Sequence, residues 1–156
     1  VNGFAQPPVN NTMYKIILKS MLSHTVPELS VKEADSLSQK GRIVFVDSRE
    51  KNEYAVSHIK GSYYVGYKHF DMASLMKLPK NQKIVVYCSV GYRSEKIAEQ
   101  LLKHGFLNVS NLYGGLFEWV NEDKPVVDSN NAPTQKVHAY APSWGIWLKK
   151  GVKVYD

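Results

Sequence analysis

Cys88 is the one cysteine of the chain, and it stands in a stretch that could do chemistry, K-I-V-V-Y-C-S-V-G-Y-R-S, Lys83 to Ser94. Ile84 to Tyr87 form a β-branched and aromatic run suited to a buried parallel strand, with the thiol at its carboxyl end. From Arg93 and Ser94 onward, Ile97, Ala98, Leu101 and Leu102 fall on one helical face, and Gly105 is placed to end that helix. A thiol therefore faces a helix N-terminus across a tight loop. The first N–H groups of a helix lack intrahelical partners and the macrodipole adds about half a positive charge, so an anion or thiolate is stabilised there. Gly91 lets the loop curl so that successive N–H groups point inward. As a class, thiols so placed beside an arginine ionise closer to neutral pH than free cysteine and become nucleophiles. The plain alternative is a small buried hydrophobe, as most lone cysteines are. Glycine, arginine and the strand-to-helix junction together outweigh it.

These residues, with two further stretches, resemble the single-domain rhodaneses, or sulfurtransferases. The loop Cys88 to Ser94 is similar to the family's C-x-x-G-x-R-S form. Asp47 to Ser62, D-S-R-E-K-N-E-Y-A-V-S-H-I-K-G-S, looks like D-x-R...E-[YF]...H-I-x-G-A, with Ser62 where alanine is usual. Leu112 to Val126, L-Y-G-G-L-F-E-W-V-N-E-D-K-P-V, resembles the closing L-x-G-G...W...G-x-P-V. The resemblance covers about residues 26 to 127. It implies an α/β chain with a three-layer α/β/α rhodanese-like fold around a mostly parallel central sheet. Residues 1–25 would be a leader and helix, 26–127 the domain, and 128–156 an extension packing on it.

The resemblance also implies roles. Cys88 would be the catalytic nucleophile, and Ser89, Val90, Gly91, Tyr92, Arg93 and Ser94 the loop that binds substrate, with Asp47 and Arg49 in support. Cysteine-dependent phosphatases of related fold place five residues between cysteine and arginine, whereas Cys88 and Arg93 have four between them. The smaller ring of N–H groups suits a cysteine carrying one extra sulfur better than a phosphoryl group.

Composition bounds the alternatives. At 156 residues, 44% hydrophobic and 22% charged, the chain suits one folded domain with short appendages. The net charge of +6 favours small anions, but the lysines are scattered without aromatic interleaving, so nucleic acid is not an expected partner. One cysteine excludes an intramolecular disulfide and a thiolate-cluster zinc site. His24, His58, His69, His104 and His138 lack short ligand spacing, so neither metal nor cofactor is expected. No apolar run approaches the roughly 20 residues of a membrane span. The chain starts at Val1, and V-N-G-F-A-Q reads as the tail of a cleaved signal peptide ending at Ala5, which leaves the compartment open between cytoplasm and periplasm.

Other elements follow from local pattern. Residues 1–11 read as a flexible leader. A helix over Thr12–Leu22 is expected, capped by Thr12, with Met13, Ile16, Ile17 and Met21 on its face, either packing on the domain or docking a partner or membrane. Strands are expected at Val26–Leu29, Ile43–Val46, Tyr63–Val65 and Val109–Leu112. Helices are expected after the S-x-x-E capping box at Ser30, over His69–Leu78, and over Leu116–Glu122. Asp47 either orients the loop or caps the next helix, Arg49 and Glu53 are spaced to pair, and His58 reads as a packing histidine. Asp128–Thr134 reads as a linker. Beyond it, Tyr140, Trp144, Ile146, Trp147 and Leu148 are too apolar for a solvated tail and either wrap onto the domain, shape an active-site wall or hold a second subunit.

The expected activity is sulfur transfer. The Cys88 thiolate takes the outer sulfur of a small anionic donor such as thiosulfate. A persulfide forms and passes that sulfur to cyanide, a thiol or a protein acceptor. Arg93 either binds a leaving sulfonate or braces the loop through a carboxylate. The loop has no lysine, which argues against high thiosulfate activity, and Tyr92 at the pocket mouth points to a different donor. The competing reading is a non-catalytic rhodanese-like module that carries persulfide or binds a partner.

Overall fold

Alternate side chains along the buried strands face opposite ways and divide the core in two. On β2 (Val44–Asp47) and β4 (Lys83–Tyr87), Phe45, Val85 and Tyr87 join one apolar cluster, and Val46, Ile84 and Val86 the other. The computed structural model describes Val9 and residues 11–156. With β1 (Glu28–Leu29), β3 (Tyr63–Tyr64) and β5 (Asn108–Leu112), these strands form a five-stranded sheet in the order β1-β5-β4-β2-β3, every neighbouring pair parallel. The first face carries α1 (Thr12–Met21), α2 (Val31–Gln39) and α5 (Gly115–Asn121); the second carries α4 (Tyr92–Lys103) and a 3-10 turn at Ala73–Leu75. This is a three-layer α/β/α arrangement with Cys88 at the carboxyl end of the central strand.

Most elements begin and end where local chemistry directs. Ser30 Oγ accepts from Glu33 N at 3.1 Å and starts α2, while Gly105 at φ 96° follows α4. A short α3 (Lys51–Val56) leaves β2, capped by Glu50 in a reciprocal box with Glu53.

Several expectations are corrected. Asn11, not Thr12, caps α1, its Oδ1 accepting from Tyr14 N at 3.0 Å. The buried face of α1 is Tyr14 and Leu18, whereas Met13 and Ile16 are exposed. Tyr14 can be fully buried because its hydroxyl donates to the Gly114 carbonyl at 2.6 Å. A glutamate of α4 holds the end of α1 in place: the Glu95 carboxylate accepts from Ser23 N and His24 N at 2.9 and 2.7 Å. Of the helix expected over His69–Leu78 only the 3-10 turn forms. There Asp71 N donates to Val65 O and Asp71 Oδ1 accepts from Ala73 N, both at 2.9 Å, which spends the donors a helix would need. Asp47 does not cap α3, a role Glu50 fills.

The stretch Asp128–Thr134 is a hairpin rather than a linker. β6 (Val126–Val127) pairs antiparallel with β7 (Pro133–Thr134) around a turn in which Asp128 Oδ1 accepts from Asn130 N and Ala132 N. The remaining chain forms β8 (Lys136–His138), α6 (Pro142–Gly145) and β9 (Val152–Val154), with β8 and β9 parallel. Val137, Ala139 and Leu148 are buried in the first cluster, and Trp147 stacks on Tyr14 at 5.5 Å and 14°. Ile146 remains exposed. The signal-peptide reading and, apart from Val9 and Asn11, the leader fall outside the described residues; Val9 belongs to the core. No helix among the described residues is long and apolar enough to cross a membrane.

Candidate functional site

The loop after β4 is held from beneath by α5. Leu116 N donates to Cys88 O at 2.8 Å and Phe117 N to Ser89 O at 3.1 Å. This contact requires glycine at 115, where a Cβ would lie 2.5 Å from the Ser89 carbonyl oxygen at φ 62°. Gly91, at φ 130°, caps α4, whose first helical residue is Tyr92, one before the expected start. The turn directs Gly91 N–H at Cys88 Sγ, 3.1 Å away.

Ser94 makes the second contact with the sulfur, and Asn111 holds Ser94. Ser94 Oγ lies 3.4 Å from Cys88 Sγ and 2.6 Å from Asn111 Oδ1. Asn111 Nδ2 donates to Gly91 O at 3.0 Å, which orients the amide so that Oδ1 can only accept. Ser94 has one hydroxyl hydrogen, and the shorter contact to Asn111 takes it, leaving Ser94 Oγ able to accept from the thiol.

Arg93 turns toward a carboxylate. Its Nη1 donates to Glu53 Oε2 at 2.7 Å and its Nη2 to Glu53 Oε1 at 2.9 Å and Ser89 Oγ at 3.1 Å. Burial by itself would push the Glu53 carboxyl up, but the hydrogen bonds and charge of Arg93, with the charge of Arg49, outweigh it and hold the carboxyl below its ordinary value. The Arg49–Glu53 pair expected from spacing is not the one that forms. Arg49 precedes α3 and folds back on Asp47, Nε and Nη2 reaching its carboxylate at 3.0 and 2.7 Å, while Nη2 also donates to Ser57 O at 2.7 Å. Asp47 and Arg49 lie wholly buried beneath the rim, away from the thiol's cavity.

That cavity, about 300 Å³, has Cys88, Ser89, Val90 and Arg93 at its floor and Tyr92 at its edge. Met21 of α1, and Tyr140 and Trp144 of the C-terminal segment, supply the walls. Cys88 is buried but opens into this space. The Tyr140 ring covers the Arg93 guanidinium, with Cζ 4.9 Å from the ring centroid. Of the residues expected at the site, Cys88 through Ser94 come together as one loop. Glu53, Asn111, Met21, Tyr140 and Trp144 complete it from elsewhere, and of these the sequence marks only the aromatic segment as a possible wall. Asn111 could have been found from its place near the end of the strand beside β4, where functional side chains collect in parallel sheets.

His58 packs as expected, stacked on Tyr54 at 3.8 Å with Nδ1 bonded to Tyr54 O. Ser62, at the usual alanine position, receives a hydrogen bond from the buried Tyr87 hydroxyl, 2.9 Å away, and donates to Ile59 O. No group of three or more histidine, cysteine or acidic side chains that could hold a metal occurs among the described residues.

Comparison with known proteins gives a consistent neighbourhood. The family described as "Rhodanese-like domain" matches residues 30–122. A tRNA uridine(34) hydroxylase of Hamiltonella defensa subsp. Acyrthosiphon pisum (strain 5AT) is 36% identical over 107 residues, 65% of this chain and 30% of that protein. The thiosulfate sulfurtransferase GlpE of Coxiella burnetii (strain RSA 331 / Henzerling II) is 33% identical over 107 residues, 66% of this chain and 94% of that protein. In structure, the thiosulfate sulfurtransferase of Pseudomonas aeruginosa superposes with a TM-score of 0.61 at 20% identity, covering 77% of this chain and 23% of that one. The match to the hydroxylase thus spans less than a third of that relative's length.

Proposed function

The chain belongs to the rhodanese-like domain family, and from that premise we propose that it is a sulfurtransferase working through a persulfide on Cys88. The observation that carries the reading is the Gly91 N–H aimed at Cys88 Sγ from 3.1 Å at the floor of an open cavity. The Cys88 thiolate attacks the outer sulfur of a sulfane donor. The donor's S–S bond breaks, its remainder leaves with the electron pair, and Cys88 holds the transferred sulfur. The main-chain N–H groups of Ser89 to Ser94 surround the persulfide anion. A thiolate or cyanide then attacks the outer sulfur and restores the Cys88 thiolate.

In this reading Arg93 positions the loop: its pairing with Glu53 and Ser89 favours the brace over a sulfonate-binding role. Four residues between Cys88 and Arg93 favour sulfur over phosphoryl transfer. The test is mass spectrometry of the chain after exposure to thiosulfate or an organic thiosulfonate. Wild type gains one sulfur atom, releases it to cyanide as thiocyanate, and Cys88→Ser does neither. Turnover of p-nitrophenyl phosphate without sulfur uptake would replace this reading with a phosphatase. A chain inert in both assays would be a binding module.

The 36% identity to a tRNA uridine(34) hydroxylase and the net charge of +6 favour a second reading, in which the thiol-bearing domain serves tRNA modification. Salt-sensitive retention of tRNA by the chain, lost when lysines are neutralised, is its signature.

A further inference from the structure

The walls of the cavity indicate which sulfur donor it takes. Among the described residues lining it, Arg93 is the one cation, and three features remove it as an anchor for a doubly charged ion. Glu53 sits against two of its nitrogens at 2.7 and 2.9 Å and cancels its charge. Ser89 Oγ occupies a third contact at 3.1 Å. The Tyr140 ring lies over its face. An anion entering here meets the Gly91 N–H at the sulfur but no uncompensated side-chain charge. The rest of the lining, apart from Cys88 and Ser89, is Met21, Val90, Tyr92, Tyr140 and Trp144, apolar or aromatic surface.

Tyr140 is placed there at a cost. It has φ 69°, in the left-handed region, within a turn closed by Ala141 N donating to Ala139 O at 2.8 Å and by Tyr140 N donating to His138 Nδ1 at 3.0 Å. A tyrosine in this conformation is costly and persists where surrounding contacts over-determine it. Here Ala139 N is also tied to Val154 O at 2.7 Å, so β9 holds the turn that presents the ring.

Resting on the sulfur-transfer reading, we propose that the donor is a neutral or singly charged sulfane-sulfur compound with an aromatic or bulky alkyl substituent, such as an organic persulfide or thiosulfonate. The substituent lies between Met21 and the Tyr140–Trp144 wall, and the outer sulfur points down at Cys88. For an organic persulfide, the Cys88 thiolate bonds the outer sulfur of R–S–SH, the S–S bond breaks, and R–S⁻ leaves with the electron pair. For a thiosulfonate the leaving group is a sulfinate. Neither step needs an outside oxidant or proton source. A cavity of about 300 Å³ accommodates one such substituent.

The experiment measures persulfide formation on Cys88 by rapid quench and mass spectrometry with three donors: thiosulfate, methanethiosulfonate and benzenethiosulfonate. Each rate is divided by that of the same donor with free cysteine, which removes intrinsic reactivity. The expected order is benzenethiosulfonate first, at least about tenfold above methanethiosulfonate, as apolar contact of this size discriminates, with thiosulfate last. Trp144→Ala and, on α1, Met21→Gln each bring the benzene-to-methane ratio toward one. A wild-type ratio near one, or thiosulfate as the fastest donor, overturns the inference and leaves sulfur transfer standing. Absence of a sulfur gain with all three donors overturns both.

Discussion

Glu53 ties the second strand's exit helix to the loop after the fourth strand, and its carboxylate is where the candidate site is most exposed to a single change. Arg93 and Glu53 are 12% and 2% accessible at their side chains, so removing one leaves the other charged in a poorly solvated place. Breaking such a pair costs about 3 kcal/mol, the low end for buried pairs because the guanidinium keeps some water contact. Glu53→Ala is therefore expected to destabilise the chain by roughly that amount in urea titration and to slow persulfide formation, whereas Glu53→Gln, which keeps one acceptor for Arg93, loses less of both. At this scale Cys88 and Gly91 were legible because strand, glycine and helix lie within a dozen residues and local chemistry sets their relation. The partner of Arg93 was not. Spacing favours Arg49 for Glu53, but Arg49 bends back onto Asp47 two residues away, and the carboxylate is left to face a loop 40 positions further on.

Among the elements, α5 is followed after Glu122 by Asp123, which takes the left-handed conformation at φ 64°, where the family pattern carries glycine. Its carboxylate pairs with Lys150 at 2.7 Å, but the two side chains are 73% and 52% accessible, and a pair so exposed is worth little. Relief of the backbone term, roughly 1 kcal/mol, outweighs it. Asp123→Gly is expected to raise the thermal midpoint by about 2–4 °C, the shift that 1 kcal/mol produces in a domain of this size. Calorimetry checks this, and a fall in the midpoint would show that the ion pair dominates. For α1, the pattern identified a helix but turned it toward the wrong residues. Met13 and Ile16 looked the more apolar, yet Tyr14 goes inside because Gly114 offers its hydroxyl an acceptor. A hydropathy pattern cannot register a partner 100 residues away.

Across the whole molecule, the C-terminal segment is joined to the domain partly through His138, and this makes docking sensitive to acid. Burial disfavours the charged imidazole, Glu53 and the Asp156 backbone work the other way, and Arg49 and Arg93 add to burial, so the ring is held below its ordinary value of 6.5. The unfolded chain takes up its proton near that ordinary value, while the folded one resists until the pH is lower. Stability is accordingly full above about pH 7 and declines as pH falls through 6.5 toward the depressed folded value. Glu53, also depressed in the folded state, adds a further loss once the pH drops below its ordinary 4.5. Across about pH 7.5 to 5 the thermal midpoint of wild type should fall relative to that of His138→Gln, since the His24 imidazole, held despite burial above its ordinary value by Lys19 O and Glu28, works the other way in both chains. An unchanged slope in the variant would assign the loss to other groups.

The sequence alone determined that Cys88 stands at the end of a buried strand and at the head of a helix, since β-branched runs, glycines and capping residues act over a few positions, and its family resemblance implied the parallel α/β sheet around them. It did not determine what surrounds that thiol. The Glu53 brace, the Asn111–Ser94 contact and the Met21, Tyr140 and Trp144 walls come from five separate segments. Their meeting depends on strand order and on where the C-terminal residues pack, and those are decided by burial of surface across the entire fold.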